Sequence, residues 1–260
     1  MNTAAPGRPL AGKKVLITGI ANEHSIAYGC ALAFRTLGAD LAITYLNDKA
    51  RPHVEPLAQA LDAQLLLALD VMNPGALEAV FDQIRSQWGV LHAALHSIAY
   101  APKADLQGRL VDSSAEGFST AMDVSCHSFI RMAQLSEPLM TEGGTLLTMS
   151  FYGAHKVVEN YNLMGPVKAA LEASVRYLAH ELGPKGIRVH AVSPGPIRTR
   201  AASGLAEFDR LLDDATSRAP AHMLASIEDV GYASAMLCTD HARLLTGSTF
   251  YVDGGYHIMN

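Results

Sequence analysis

Val15-Leu16-Ile17-Thr18-Gly19-Ile20-Ala21-Asn22-Glu23-His24-Ser25-Ile26-Ala27 reads as a short apolar strand, a loop and the first turn of a helix. A brief apolar run without polar alternation suits a strand covered on both faces. The same unit recurs along the chain. Leu41–Tyr45, Leu65–Leu69, Leu91–Leu95, Thr145–Met149, Ile187–Val192 and Ser248–Val252 are strand-like, and helical stretches lie near Ile26–Leu37, Pro74–Trp88, Ser114–Met140, Pro166–Leu182 and Ser226–Cys238. Parallel strands need crossovers, which helices usually supply. The alternation therefore predicts an α/β fold, a doubly wound parallel sheet of about seven strands with helices on both faces.

With 260 residues, 49% of them hydrophobic and 17% charged, the chain is able to bury a sizeable core and falls outside the disordered class. No repeat, low-complexity tract or linker divides it, which predicts a single domain over residues 10–260 and a short flexible tail over residues 1–9. The formal net charge is -5 and no long basic run occurs, which argues against a nucleic-acid partner. Cys30, Cys126 and Cys238 are odd in number and far apart, with no Cys-x-x-Cys pair. Three reduced thiols in a cytoplasmic protein, and no metal site, are the simplest reading. No apolar stretch reaches the roughly 18 residues of a membrane span.

In an open parallel sheet, ligands bind beyond the carboxyl ends of the strands, near the point where strand order reverses. Gly19, Asp70, Ser97, Ser150 and Gly195 follow the first, third, fourth, fifth and sixth strand-like runs, so they gather at that edge. The loop Thr18–Ala27 holds one glycine where a dinucleotide fingerprint would place three. A structural turn and a nucleotide site fit this segment equally. Ser25 is placed either to cap the helix or to donate its hydroxyl to a phosphate.

Tyr161 and Lys168, in Asn160-Tyr161-Asn162-Leu163-Met164-Gly165-Pro166-Val167-Lys168, stand seven positions apart. That is two turns, so in a helix both side chains would share a face and converge on one ligand. A tyrosine releases its proton near pH 10 in water, and an adjacent ammonium lowers that value. A core tyrosine with a solvated lysine accounts for this pair, taken alone, equally well.

Taken together, Gly19-Ile20-Ala21 with Ser25-Ile26-Ala27, His96-Ser97-Ile98-Ala99, Tyr161 to Lys168, Gly195-Pro196-Ile197-Arg198-Thr199 with Ala201-Ala202-Ser203-Gly204, and Val252-Asp253-Gly254-Gly255 resemble the bacterial enoyl-acyl carrier protein reductases. These form the branch of the short-chain dehydrogenases/reductases with tyrosine and lysine seven apart. The resemblance spans roughly Leu10 to Tyr256. It implies a Rossmann-like, cytoplasmic homotetramer that reduces the trans-2 double bond of an acyl thioester in fatty acid biosynthesis, using NADH or NADPH. It further implies that Tyr161 hydrogen-bonds the thioester oxygen as an enolate develops, while Lys168 holds the nicotinamide ribose. Gly19, Ser25 and Ile26 would lie toward the pyrophosphate, Leu46 toward the adenosine ribose, and Asp70 and Val71 toward the adenine. Ile98 would line the cofactor wall, and Ile197, Thr199 and Ala201 the nicotinamide end. Ala101, Phe151, Tyr152 and Met164 would border the substrate. Asp70 reads equally as a turn residue, and Ile26, Val71, Ile98 and Ile197 as core.

Tyr152 and Lys156 form a competing pair with the four-residue spacing of ordinary short-chain dehydrogenases. Lys168, not Lys156, opens the long helical stretch that runs into Ile187–Val192, where such a fold places its active lysine. Other positions depart from the resemblance. Phe151 stands where a tyrosine is usual, His155 and Glu159 where an acid and a proline are usual, and Arg200 where a leucine is usual. Ala206 and Asp209 fall at positions that are usually basic and meet the acidic carrier protein; only Arg210 keeps the charge. Steering of an acidic partner is thereby weakened, which leaves carrier protein and coenzyme A both open as the thioester's carrier. A reductase of another enone or of a carbonyl, and a non-catalytic nucleotide-binding protein, are the remaining alternatives. After the second strand, Leu46 offers no cation to a 2′-phosphate and Asp48 repels one, which predicts NADH over NADPH.

Overall fold

The computed structural model describes residues 8–199 and 208–259. Seven strands, β1 (Lys14–Thr18), β2 (Asp40–Tyr45), β3 (Leu65–Ala68), β4 (Ala93–His96), β5 (Gly144–Met149), β6 (Ile187–Pro194) and β7 (Thr249–Val252), form one sheet in the order β3-β2-β1-β4-β5-β6-β7. All six pairings are parallel, as the continuous apolar runs predicted. Strand order reverses at β1, whose Ile17 pairs with Ile43 on one side and Leu95 on the other. The crevice of a doubly wound sheet opens there, beyond Thr18 and His96.

Alternating side chains divide the core into two layers. Val15 and Ile17 face one layer, under α1 (Ile26–Thr36), α2 (Arg51–Ala60) and α9 (Ile227–Leu237), while Leu16 faces the other, under α3 (Ala76–Trp88), α6 (Ser128–Ser136) and α7 (Met164–Leu182). The first layer is closed by backbone contact. A Cβ on Gly231 of α9 would fall 2.3 Å from the Gly29 carbonyl oxygen of α1, and one on Gly29 would fall 2.2 Å from that of Ile227.

Sequence and structure part company at several elements. α2 was not expected, because Pro52 and Pro56 interrupt its pattern and only Val54 and Ala58 are buried. Pro52 is tolerated in the first turn, where no intrahelical N–H bond is lost. β4 runs two residues further along the chain than Leu91–Leu95 suggested at its start, and one at its end. The expected single helix over Ser114–Met140 is broken into α5 (Ala115–Met122), a π-helical turn at Asp123–His127, α6 and a 3-10 turn at Glu137–Leu139. α4 (Lys103–Leu106) is a single turn, and α8 (Phe208–Arg218) follows the undescribed segment. Among the described residues, no helix is long and apolar enough to cross a membrane.

Candidate active site

Gly19 leaves β1 with φ +94, and a Cβ there would fall 2.0 Å from the Ser97 carbonyl oxygen. The loops after β1 and β4 are thus pressed together by a residue that only glycine satisfies. Ser25 occupies the cap position of α1 but does not cap with its side chain. Its hydroxyl instead accepts from the N–H groups of Ala21 (3.0 Å) and Asn22 (3.1 Å) and donates to Asn22 Oδ1 (3.3 Å), folding the loop on itself. The capping expectation fails for that reason. The first N–H groups of α1, at Ile26 and Ala27, keep no side-chain acceptor and lie at the positive end of the helix dipole, which fits a pyrophosphate.

Further along this edge, Asp70 Oδ1 accepts from Met72 N–H at 3.0 Å and fixes the turn after β3. Val71, in that turn, is buried, and its carbonyl accepts from Arg131 Nη2 at 2.9 Å. Leu46 is 53% exposed at the end of β2. Of the two cations that follow Leu46, Lys49 and Arg51, the latter opens α2, is tied to Glu55 at 3.0 Å and lies 5.9 Å from the Tyr45 ring. Ile98 packs on the α3, α6 and α7 layer, and Ile26 and Ile197 on the α1, α2 and α9 layer. Thr199 ends the described segment; Ala201, with Arg200 and Ala206, lies outside the described residues.

Tyr161 does not belong to the helix that carries Lys168. α7 begins at Met164, and Tyr161 precedes it between Asn160 (φ 63) and Asn162 (φ 41). Two left-handed residues, a conformation asparagine tolerates better than most, set its direction in place of a shared helical face. Tyr161 packs with Ala101, Leu163, Met164 and Val167, and its ring centroid is 4.9 Å from that of Phe151. Phe151 in turn meets Tyr152 at 4.8 Å. Of the four substrate-side positions, Ala101, Met164 and Phe151 are brought together around this phenol, while Tyr152 meets it only through Phe151.

Lys168 is buried, and its ammonium donates to the Met149 carbonyl at 2.7 Å, at the end of β5. Burial lowers its pKa to about 8, against the supporting charges of Cys126 and Glu172. The ammonium thus persists at neutral pH. Tyr161 moves the opposite way from the sequence expectation: burial, and then the charge of Glu172, hold its proton more tightly than in water. Tyr152 and Lys156 are turned to the C-terminal segment, with Tyr152 donating to Tyr256 Oη at 3.4 Å and Lys156 to the Met259 carbonyl at 2.5 Å. Tyr152 also lines a cavity of about 300 Å³ with Asn160, Phe208, Leu211 and Asp214.

Sequence reasoning passed over Ser125 and Glu172. Ser125, in the π-helical turn, accepts from Tyr100 N–H (2.9 Å) and donates to its carbonyl (3.1 Å), bracing the loop that carries Ala101. Nothing in the sequence marked it. Glu172 lies one helical turn beyond Lys168, a legible spacing, but a glutamate in an amphipathic helix reads as surface.

A parallel sheet with a nucleotide-compatible helix start at its switch point, and a buried lysine seven residues after a packed tyrosine, defines a reductase of the short-chain dehydrogenase type. Residues 19–257 match the family described as Enoyl-(Acyl carrier protein) reductase. The chain is 42% identical over 250 residues to enoyl-[acyl-carrier-protein] reductase [NADH] FabI of Salmonella typhimurium, covering 96% of this chain and 95% of that one. It is 43% identical over 252 residues to the Bacillus cereus protein of the same name, covering 96% and 98%. The solved reductase of Anaplasma phagocytophilum, in complex with NAD, superposes with a TM-score of 0.93 at 44% identity, covering 97% of this chain and 96% of that one. That of Bacillus cereus, with NADP+ and an indole naphthyridinone, gives 0.95 at 42%, covering 97% and 99%. The chain belongs to the enoyl-acyl carrier protein reductase family.

Proposed function

We propose that the protein reduces the trans-2 double bond of an enoyl thioester with NADH, a step of fatty acid biosynthesis, as a cytoplasmic homotetramer. The observation that carries the reading is the buried Lys168 ammonium on the Met149 carbonyl, seven residues after a Tyr161 packed among Ala101, Met164 and Phe151. NADH, when bound, supplies the hydride that adds to the β-carbon of the thioester. The helix start at Ile26 and Ala27 would hold its pyrophosphate, the Asp70–Val71 turn its adenine, and Lys168 its nicotinamide ribose. Tyr161, which burial keeps protonated, donates a hydrogen bond to the carbonyl oxygen where enolate charge develops, the contact that lowers such barriers most.

The carrier is acyl carrier protein by family, and a coenzyme A ester is the second reading. It is favoured by the start of α8, where Asp209 pairs with Arg198 at 2.6 Å and Arg210 lies 3.8 Å from Glu159, so an acidic partner meets no surplus of positive charge.

The reading is tested by following NADH absorbance with crotonyl-CoA and with acetoacetyl-CoA. Oxidation with the first alone is expected. Turnover of acetoacetyl-CoA alone would make the protein a carbonyl reductase, and none with either, or with an enoyl-acyl carrier protein, would leave a nucleotide-binding protein. With crotonyl-CoA, catalytic efficiency should be about tenfold or more higher with NADH than with NADPH, since Leu46 offers a 2′-phosphate no cation, Asp48 repels one and Arg51 is held by Glu55, against Lys49 alone. The reverse preference would overturn the cofactor assignment.

A further inference from the structure

Phe151 packs on Tyr161 at 4.9 Å and on Tyr152 at 4.8 Å, so one ring joins the donor phenol to the cavity that Tyr152 lines. Asn160, next to Tyr161 in the chain, lines it as well. At about 300 Å³ the cavity stands at the lower end of small-molecule sites, which run from roughly 300 to 1,000 Å³. Its mouth is marked by the exposed side chains of Val157, Glu159 and Arg210, the last at the start of α8.

The lining is of two kinds. Val158, Phe208 and Leu211 are apolar, whereas Tyr152, Tyr256, Asp214 and Arg218 form one hydrogen-bonded chain. Tyr152 donates to Tyr256 Oη at 3.4 Å, Tyr256 donates to Asp214 Oδ2 at 2.5 Å, and Arg218 Nη1 donates to the same oxygen at 3.1 Å. Tyr256 is buried against Ala215 and Ala219, which fixes the carboxylate that it bonds. Bonding capacity is left over. Asp214 Oδ1 receives Arg218 only at 3.5 Å, and Arg218 reaches the carboxylate through Nη1, so lone pairs of the one and further N–H groups of the other can serve a ligand.

An enoyl thioester has two unlike ends to place. Its acyl chain is apolar and suits the cluster of Ala101, Leu163, Met164 and Val167 around Tyr161. Laid against a carboxylate, a guanidinium and two phenols, the same chain would strip their hydration and return no hydrogen bond. The other end is the pantetheine arm that carries the sulfur, in which short alkyl stretches alternate with amides and a hydroxyl. Asp214 accepts from such N–H and O–H groups, Arg218 donates to such carbonyls, and the wall of Val158, Phe208 and Leu211 meets the alkyl parts. The arm must also leave the protein toward its carrier, and the mouth of the cavity lies at the start of α8, the surface read above as facing that carrier.

We propose that this cavity is the subsite of the pantetheine arm, held by Asp214 and Arg218, with Tyr256 fixing the carboxylate. Thioesters of acyl carrier protein and of coenzyme A present the same arm, so one subsite serves both. The inference rests on the reading of the protein as an enoyl thioester reductase.

The test compares kcat/KM, from NADH absorbance, for crotonyl thioesters of N-acetylcysteamine, which keeps only the first amide of the arm, of pantetheine and of coenzyme A. The wild type should favour the pantetheine thioester over the N-acetylcysteamine thioester by about tenfold or more, the worth of a hydrogen bond to a charged group. In Asp214→Leu and in Arg218→Met that ratio should collapse by about tenfold, with the coenzyme A ester following pantetheine. Arg218 is half-buried, so its variant carries the test if Asp214→Leu does not fold. A merely structural chain would lower all three thioesters alike and leave the ratio as in the wild type, which overturns the proposal, as does a wild type that does not distinguish the arms. A changed preference between crotonyl and 2-dodecenoyl groups on the same pantetheine would place the acyl chain in the cavity and overturn it too. Oxidation of NADH by none of the thioesters refutes the reading of function, whereas oxidation without dependence on the arm refutes the subsite alone.

Discussion

Tyr161 is held by its immediate neighbours, since Asn160 and Asn162 turn the chain on either side of it and Asn162 Nδ2 donates to the Leu106 carbonyl at 3.0 Å. Tyr152 reaches Tyr256 instead. Tyr161→Phe should therefore lower turnover of an enoyl thioester by about a hundredfold or more, the usual cost of losing a donor to a developing oxyanion. Tyr152→Phe should cost far less, and equal losses in steady-state assays would mean the donor is misassigned. His96 makes a second prediction at this scale. Buried behind the site, it shares hydrogen bonds with Thr148 (3.0 Å) and Ser128 (2.7 Å), and burial lowers its pKa to about 3. The unfolded chain binds this proton near the ordinary value of 6.5, so between about 6.5 and 3 the unfolded state holds more protons and stability falls as pH is lowered. His190, lowered to about 4 by burial, acts in the same direction. Thermal midpoints should thus drop from neutrality toward pH 4, and His96→Gln should drop less steeply; an unchanged slope would remove His96 from the account. The tyrosine and lysine stood out because their spacing is a sequence property, but the shared helical face it suggested is absent, since Tyr161 precedes α7. The pairing of His155 with Glu172 was not legible, because it depends on how the segment after β5 lies against α7.

The strands were legible as elements because burial on both faces leaves continuous apolar runs, and register then follows from the crossovers. Helices with a narrow buried stripe were not, as α2 shows with Val54 and Ala58 as its only buried residues. Nor was the π-helical turn after α5, whose extra residue is justified by Ser125 reaching the Tyr100 main chain, a contact made across the fold. The glycines divide in the same way. Gly29 and Gly231 look like weak points within their helices until α1 and α9 are seen to touch through them. Gly231→Ala should destabilise the protein by about 1–3 kcal/mol or more, because the obstruction is backbone that cannot rotate away. A lower urea midpoint for Gly231→Ala would check the argument; a shift in the stabilising direction would refute it.

Over the whole molecule, the formal charge of -5 sets how an acidic carrier is met at a distance, and the start of α8 sets how it is met at contact. Asp209 there is exposed and pairs with Arg198, so the family's usually basic stripe is cancelled locally as well as diluted globally. Ala206→Lys with Asp209→Arg should release Arg198 and supply two further cations, raising activity on an enoyl-acyl carrier protein at low salt chiefly through faster association. The matching coenzyme A ester should respond little, since it has no protein surface to dock against α8. The gain should shrink as salt is added, because screening cuts such interactions over about 10 Å at 0.1 M. Steady-state kinetics with both thioesters across a salt series measures this directly. An equal response of the two substrates, or none from either, would mean that this surface does not choose the carrier.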